Sequence, residues 1–222
     1  MKPRVAILCS GRGSNMAALI RAARDARYPA VVALVISDRA EAPALQLARG
    51  TGVSAVAVES KPFGRDRQAH ERAIDSVLAA EKIQIVCLAG YMRLLTPFFV
   101  GRWQGRLLNI HPSLLPAFPG LNTHERALQA GAKLHGCTVH LVTEAMDNGP
   151  ILAQAAVPVL PGDTGGTLAQ RVLVQEHLIY PAALAAFARE AAIWASPTAA
   201  LQNPLPCRQT DLKNAAKQDG IP

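Results

Sequence analysis

The chain has 222 residues, half of them hydrophobic and 18% charged, with a formal net charge of +7. That length fits a single domain with a sizeable core. The apolar run after Met1-Lys2-Pro3-Arg4 is about six residues long, too short for a signal-peptide core or a membrane span, so a cytoplasmic protein with no membrane partner is expected.

Cys9, Cys87, Cys137 and Cys207 are far apart and form no C-x-x-C pair, which argues against a disulfide framework and against a zinc site. Cys9 and Cys87 sit in apolar runs and read as buried, reduced packing residues. No Lys/Arg run exceeds two residues and aromatics are few, so no nucleic-acid partner is expected. The positive charge fits a solvated basic surface, and also an anionic small substrate.

In chain order, residues 4–9 read as a buried parallel strand, followed by a Gly/Ser loop at 10–15 and a helix to about 27. Ala30 to Ser37 is a second apolar strand, and Pro43 opens a helix that stops near Gly50 and Gly52. Val53 to Val58 is a third strand. Asp66 to Lys82 has helical spacing, with Ala69, Ala73, Ile74, Val77 and Leu78 on one side. Ile83 to Ala89 is a fourth strand broken by Gly90, Pro97 begins a short helix, and Leu107 to Ile110 is a fifth strand. This alternation predicts the α/β class: a Rossmann-like, mostly parallel sheet with helices on both faces.

The pattern then changes. Thr123-His124-Glu125-Arg126 starts a helix with an N-cap signal, and Gly131 ends it. Cys137 to Val142 and Ile151 to Val159 are strands on either side of Asp147-Asn148-Gly149-Pro150. Asn148-Gly149 is a turn signal, so these two strands are expected to form a late antiparallel hairpin. A long helix from about Thr167 to Glu190 contains Pro181, which should kink or divide it. Residues 1–195 are thus expected to form one domain, and 196–222 a peripheral or disordered tail.

The stretch Arg106-Leu107-Leu108-Asn109-Ile110-His111-Pro112-Ser113-Leu114-Leu115-Pro116 carries the strongest chemical signal. Strand alternation points Asn109 and His111 to one face, and Pro112 holds His111 extended. An amide and an imidazole then stand together at the carboxyl end of a strand, where open α/β sheets keep their ligand sites. An imidazole transfers protons near neutral pH, and an amide donates to a developing oxyanion, which suits acyl transfer or hydrolysis. The alternative is a strand end whose polar tips cap the loop.

Three other segments are candidates. Ser10-Gly11-Arg12-Gly13-Ser14-Asn15-Met16 leaves a strand and enters a helix, so Gly13, Ser14 and Asn15 can cradle a monophosphate. Met16 stands where a dinucleotide fingerprint wants a third glycine, and no Gly-Lys-Ser/Thr P-loop is present. A tight strand-to-helix turn capped by Ser14 or Asn15 explains the same residues. Asp147 can meet His111 if the late turn folds over the fifth strand, where it would raise the histidine's pKa; it is otherwise an ordinary turn residue. Gly90-Tyr91-Met92-Arg93-Leu94-Leu95 can wall a flat heterocycle, or simply roof the core. His124, His135 and His140 lack metal-like spacing, since 135 and 140 fall on opposite faces of a strand.

Together these motifs resemble the folate-dependent glycinamide ribonucleotide (phosphoribosylglycinamide) formyltransferases of purine synthesis. The ordered match runs from Val5 to Pro181 and includes Ser10–Asn15, Ala89–Arg93, Leu107–Pro116, Pro119–His124, His135–His140, Asp147–Pro150 and Gln175-Glu176-His177. The resemblance implies a formyltransferase fold and small-molecule substrates: glycinamide ribonucleotide and 10-formyltetrahydrofolate, without a metal, in a monomer or homodimer. It implies that Gly13, Ser14 and Asn15 hold the ribonucleotide phosphate and that Glu176 contacts the ribonucleotide. It assigns the pteridine to Met92, Arg93, Leu94 and Leu95 with Thr143, Glu144, Ala145 and Met146 of the 143–147 loop, and a folate contact to Arg67. Asn109, His111 and Asp147 match the family's catalytic trio. In that scheme Asn109 and protonated His111 stabilise the oxyanion, and Asp147 keeps His111 charged and helps relay a proton to N10.

Two positions depart from the family pattern. Asn148 replaces the first of two glycines after the catalytic Asp, and Asn tolerates a left-handed backbone. Thr138 stands where serine is common, and its hydroxyl can make the same hydrogen bond. Three other readings remain. A formyltetrahydrofolate hydrolase uses a similar trio but carries an extra N-terminal domain, whereas the first strand here begins at residue 4. A non-catalytic nucleotide-binding module predicts phosphate binding without turnover, and the intact trio speaks against it. Methionyl-tRNA formyltransferase shares the Ser113–Pro116 region but has a further C-terminal domain.

Overall fold

The first strand shows why the sheet is buried on both sides. In β1 (Arg4–Cys9), Val5, Ile7 and Cys9 join one apolar cluster, and Ala6 and Leu8 join the other. That period of two needs apolar residues at every position, hence the continuous hydrophobic run. The computed structural model describes residues 1–191. The expected tail at 196–222 and Cys207 lie outside the described residues.

A seven-stranded sheet has the order β3-β2-β1-β4-β5-β6-β7, with β2 Val31–Ser37, β3 Ser54–Ala57, β4 Ile85–Leu88, β5 Leu107–His111, β6 Leu134–Leu141 and β7 Ile151–Pro158. The first five strands pair in parallel; β6 and β7 run antiparallel, as the late hairpin pattern predicts. One face is covered by α1 (Ser14–Ala23), α2 (Pro43–Gly50) and α6 (Gly165–Ala191), through residues such as Met16, Leu45 and Tyr180. The other is covered by α3 (Arg67–Ala80) and α4 (Pro97–Arg102), through Ile74, Leu78 and Phe99. A short helix, α5 (Thr123–Gln129), precedes β6. Tyr180 is fully buried, and its hydroxyl donates to Leu88 O at 2.9 Å, satisfying that buried polar atom. No helix among the described residues is long and apolar enough to cross a membrane.

Several local expectations need correction. The first helix stops at Ala23 rather than near 27, where the Asp25 carboxylate takes the backbone N–H of Arg27 and turns the chain. The residue before α5 is Asn122 in a left-handed conformation, while Thr123 donates its hydroxyl to Pro112 O at 2.7 Å instead of capping the helix. Pro181 does not divide the last helix, which runs unbroken from Gly165 to Ala191.

β1 and β4 are neighbours, but their connections leave in opposite directions, which opens a crevice at their carboxyl ends. The crevice is tied across its floor: Ser10 N donates to Gly90 O at 3.0 Å, and Met92 N donates to Ser10 Oγ at 2.9 Å.

Candidate active site

A cavity of about 470 Å³ occupies this crevice, bounded by the 10–15 loop, Asp38, Met92 and Glu176. Gly13 takes the N-terminal flanking position of α1 at φ 77°, and no side chain caps the helix. Neither Ser14 nor Asn15 is therefore the cap; both lie in the first turn. A Cβ on Gly13 would stand 2.7 Å from the Ala44 Cβ, so both the backbone angle and the packing require glycine.

The structure changes what Asn15 can offer. Its Nδ2 donates to Glu176 Oε2 at 2.6 Å, and its buried Oδ1 has no partner among the described residues. A phosphate here would therefore meet the open backbone N–H groups of the helix start and the Ser14 hydroxyl, while the Asn15 oxygen suits a donor such as a ribose hydroxyl. Burial pushes the Glu176 carboxyl above its ordinary range; the Asn15 bond and the nearby His111 oppose this. Asp38, directly after β2, is also buried in the cavity wall, and its Oδ1 has no partner among the described residues. Its place after a strand beside the switch point was the available signal.

Asn109, His111 and Asp147 come together at the carboxyl end of β5. His111 is buried, with Nδ1 3.5 Å from Asp147 Oδ2 and Nε2 3.0 Å from Phe118 O. Both ring nitrogens face oxygen acceptors, so a doubly protonated ring finds a partner on each side. Asp147 also accepts the Gly120 N–H at 2.8 Å. The link to Asn109 runs through His140, which lies opposite Asn109 in the β5–β6 register. Burial pushes His140 below the ordinary histidine value. The neutral ring donates from Nδ1 to Leu141 O at 2.9 Å, which leaves the Nε2 lone pair to accept from Asn109 Nδ2 at 3.2 Å. That bond fixes the amide orientation and leaves one N–H of Asn109 for a ligand. No local sequence signal pairs His140 with Asn109.

Thr138 is buried opposite His111. Its hydroxyl donates to Ser113 O at 2.7 Å and accepts from Leu115 N at 3.0 Å, holding the loop after β5. The late turn departs from expectation. Residues 142–150 connect the strands, and the left-handed residue is Asp147 at φ 50°, not Asn148. Gly149 is required by proximity: a Cβ there would stand 1.7 Å from Leu141 O.

At the folate-assigned end, Met92 and Leu94 are 71% and 60% exposed, while Leu95 packs on the α3–α4 side of the core. Arg93 is half-buried. Arg67 Nη1 donates to Leu94 O at 3.4 Å, so this residue does reach the 92–95 segment. Thr143, Glu144, Ala145 and Met146 are all exposed, and Val142 before them packs on the cluster that includes Tyr91 and Leu95.

Beside the site, His135 Nε2 lies 3.1 Å from His124 Nδ1. Burial, with His124 adding, pushes His135 from the ordinary 6.5 down to about 4. Between those values the folded state binds fewer protons than the unfolded chain, so stability falls as pH falls through that window. Replacing His135 with asparagine is expected to flatten the decline of Tm on acidification from neutral pH by a few degrees. Thermal melts across that range that keep the full wild-type slope would reject this linkage.

Comparison with known proteins gives a consistent picture. A formyl transferase family model matches residues 3–184. The human trifunctional purine biosynthetic protein adenosine-3 is 49% identical over 183 residues, covering 82% of this chain and 18% of that protein. The chain thus spans less than a fifth of the length of such trifunctional relatives. Phosphoribosylglycinamide formyltransferase of Escherichia coli strain K12 is 42% identical over 184 residues, 83% of this chain and 86% of that one. The crystal structure of phosphoribosylglycinamide formyltransferase from Brucella melitensis superposes with a TM-score of 0.81 at 54% identity, covering 91% of this chain and 100% of that chain.

Proposed function

The chain belongs to the formyl transferase family, and we propose that it transfers the formyl group of 10-formyltetrahydrofolate to the amine of glycinamide ribonucleotide, a step of purine biosynthesis. The observation that carries this reading is the continuity of one crevice edge. An anion-binding helix start, the Asn15–Glu176 pair and the Asn109–His111–Asp147 group lie along the carboxyl ends of β1, β4 and β5. A ribonucleotide with a reactive amine at one end and a phosphate at the other needs such a layout.

In this reading Gly13 and Ser14 seat the phosphate, with Asn15 and Glu176 beside the ribose. Arg67, Met92, Arg93, Leu94 and Leu95, with Thr143 to Met146, hold the folate. The amine forms a bond to the formyl carbon, and the carbonyl electrons move onto oxygen. Asn109, its amide fixed by His140, donates its free N–H to that oxygen, and a protonated His111 ring nearby offsets the developing charge. The bond to N10 then breaks, N10 takes a proton and the amine loses one. Asp147 holds the His111 ring in orientation through Nδ1. Cys9, Cys87 and Cys137 are buried and free, which fits the reducing conditions of the cytoplasm.

Formyl transfer is tested by following deformylated folate by absorbance, with and without glycinamide ribonucleotide. Acceptor-dependent turnover is expected. Turnover without acceptor would move the chain to the hydrolases, and none at all would leave a ligand-binding domain.

A further inference from the structure

Helix α3 meets the 94–103 stretch along one stripe. Arg67, Glu71 and Asp75 stand four residues apart and so rise along a single face. Arg67 bonds Leu94 O at 3.4 Å. Glu71 Oε1 accepts the Thr96 N–H at 2.8 Å, and its Oε2 accepts the Thr96 hydroxyl. Asp75 Oδ1 accepts the Trp103 indole N–H at 3.0 Å.

Of the three, Glu71 is the enclosed one, at 2% exposure. A carboxylate removed from water is costly unless its oxygens are bonded. Both oxygens here are turned to one residue, and the hydroxyl of that residue is directed to α3 rather than capping the helix it precedes. Thr96 is therefore anchored to α3 by two charge-assisted bonds. At the other end, Met92 is anchored through its N–H to Ser10 Oγ. The exposed Met92 and Leu94 thus lie on a short segment held at both ends by side chains from different elements.

We propose that Glu71 is a positioning residue for folate, fixing the curve of residues 92–95 from behind without touching the ligand. The inference rests on the reading of that segment as the folate wall. It separates Glu71 from the proposed ribonucleotide end, which is built from α1 and α6, whereas Glu71 bonds Thr96.

Steady-state kinetics with each substrate varied in turn test this in Glu71→Ala, Glu71→Gln and Thr96→Val. Glu71→Ala is expected to raise KM for the formyl folate about tenfold, with kcat and the ribonucleotide KM moving far less. Glu71→Gln keeps an acceptor for the Thr96 N–H and should recover most of the loss. Thr96→Val, which removes only the hydroxyl bond, should reproduce part of it and decides the matter if Glu71→Ala does not fold. A fall in kcat at unchanged KM, a parallel rise of both KM values, or wild-type behaviour in Thr96→Val would each overturn the proposal. Absence of acceptor-dependent turnover in the wild type would instead overturn the formyl-transfer reading, and this proposal with it.

Discussion

His111→Ala is expected to lower kcat by roughly a thousandfold, within the range that a positioned proton-transfer group contributes, while ribonucleotide affinity stays within a small factor of wild type. The separation follows from the geometry. The imidazole sits between Phe118 O and Asp147 at the end of β5, whereas the proposed phosphate site lies at the start of α1. In the proposed mechanism, removing the ring takes away a group that stabilises the developing oxyanion, yet leaves the helix start and Glu176 where they are. Binding of the ribonucleotide by calorimetry, read beside kcat, checks both halves. A variant with near wild-type kcat would remove His111 from the chemistry. Loss of binding in step with kcat would show that its role is to hold the site together.

How much of this was legible in the sequence depends on whether the cause is local. The parallel strands were, because a strand buried on both faces must be apolar throughout, as Val5 to Cys9 and Ile85 to Leu88 are. The pairing of Asn109 and His111 on one face was also legible, since alternation alone dictates it. What those side chains meet was not. His140 faces Asn109 only through the antiparallel register of β5 and β6, and neither strand encodes that register in its own pattern. The same limit applies to Glu71 and Thr96, 25 residues apart. Asn148-Gly149 signals a turn, and Asn148 tolerates a left-handed backbone where the family has glycine. The structure instead places the positive φ on Asp147 and needs Gly149 for a non-local reason, the nearby Leu141 carbonyl. Asn15 was legible as a helix-start polar residue, but its commitment to Glu176, 161 positions away, was not.

That non-local glycine yields the second large effect. Gly149 does not lie in the left-handed region, so alanine is conformationally acceptable there and only the contact matters. The contact is severe: the new Cβ would stand 1.7 Å from Leu141 O and 2.8 Å from Leu141 C, both backbone atoms of β6. Leu141 is held in place by its N–H bond to Pro150 O at 2.9 Å, so the clash must be relieved by parting the strand end from the turn. Two parts of the site move with it. Leu141 O is the acceptor that sets the His140 tautomer, and Asp147 lies two residues before the substitution. Gly149→Ala is therefore expected to lose about 1–3 kcal/mol of stability, the usual cost of forcing atoms into a packed site. It should also lower kcat about a hundredfold, the scale of an ångström of misplacement at a reacting group. Combined with Asp147→Ala it should add little further loss of kcat, because both changes remove the same carboxylate from His111. A lowered Tm with wild-type kcat would show that the turn can yield without moving Asp147. Fully multiplicative losses in the double variant would mean that Gly149 acts on the chemistry by another route.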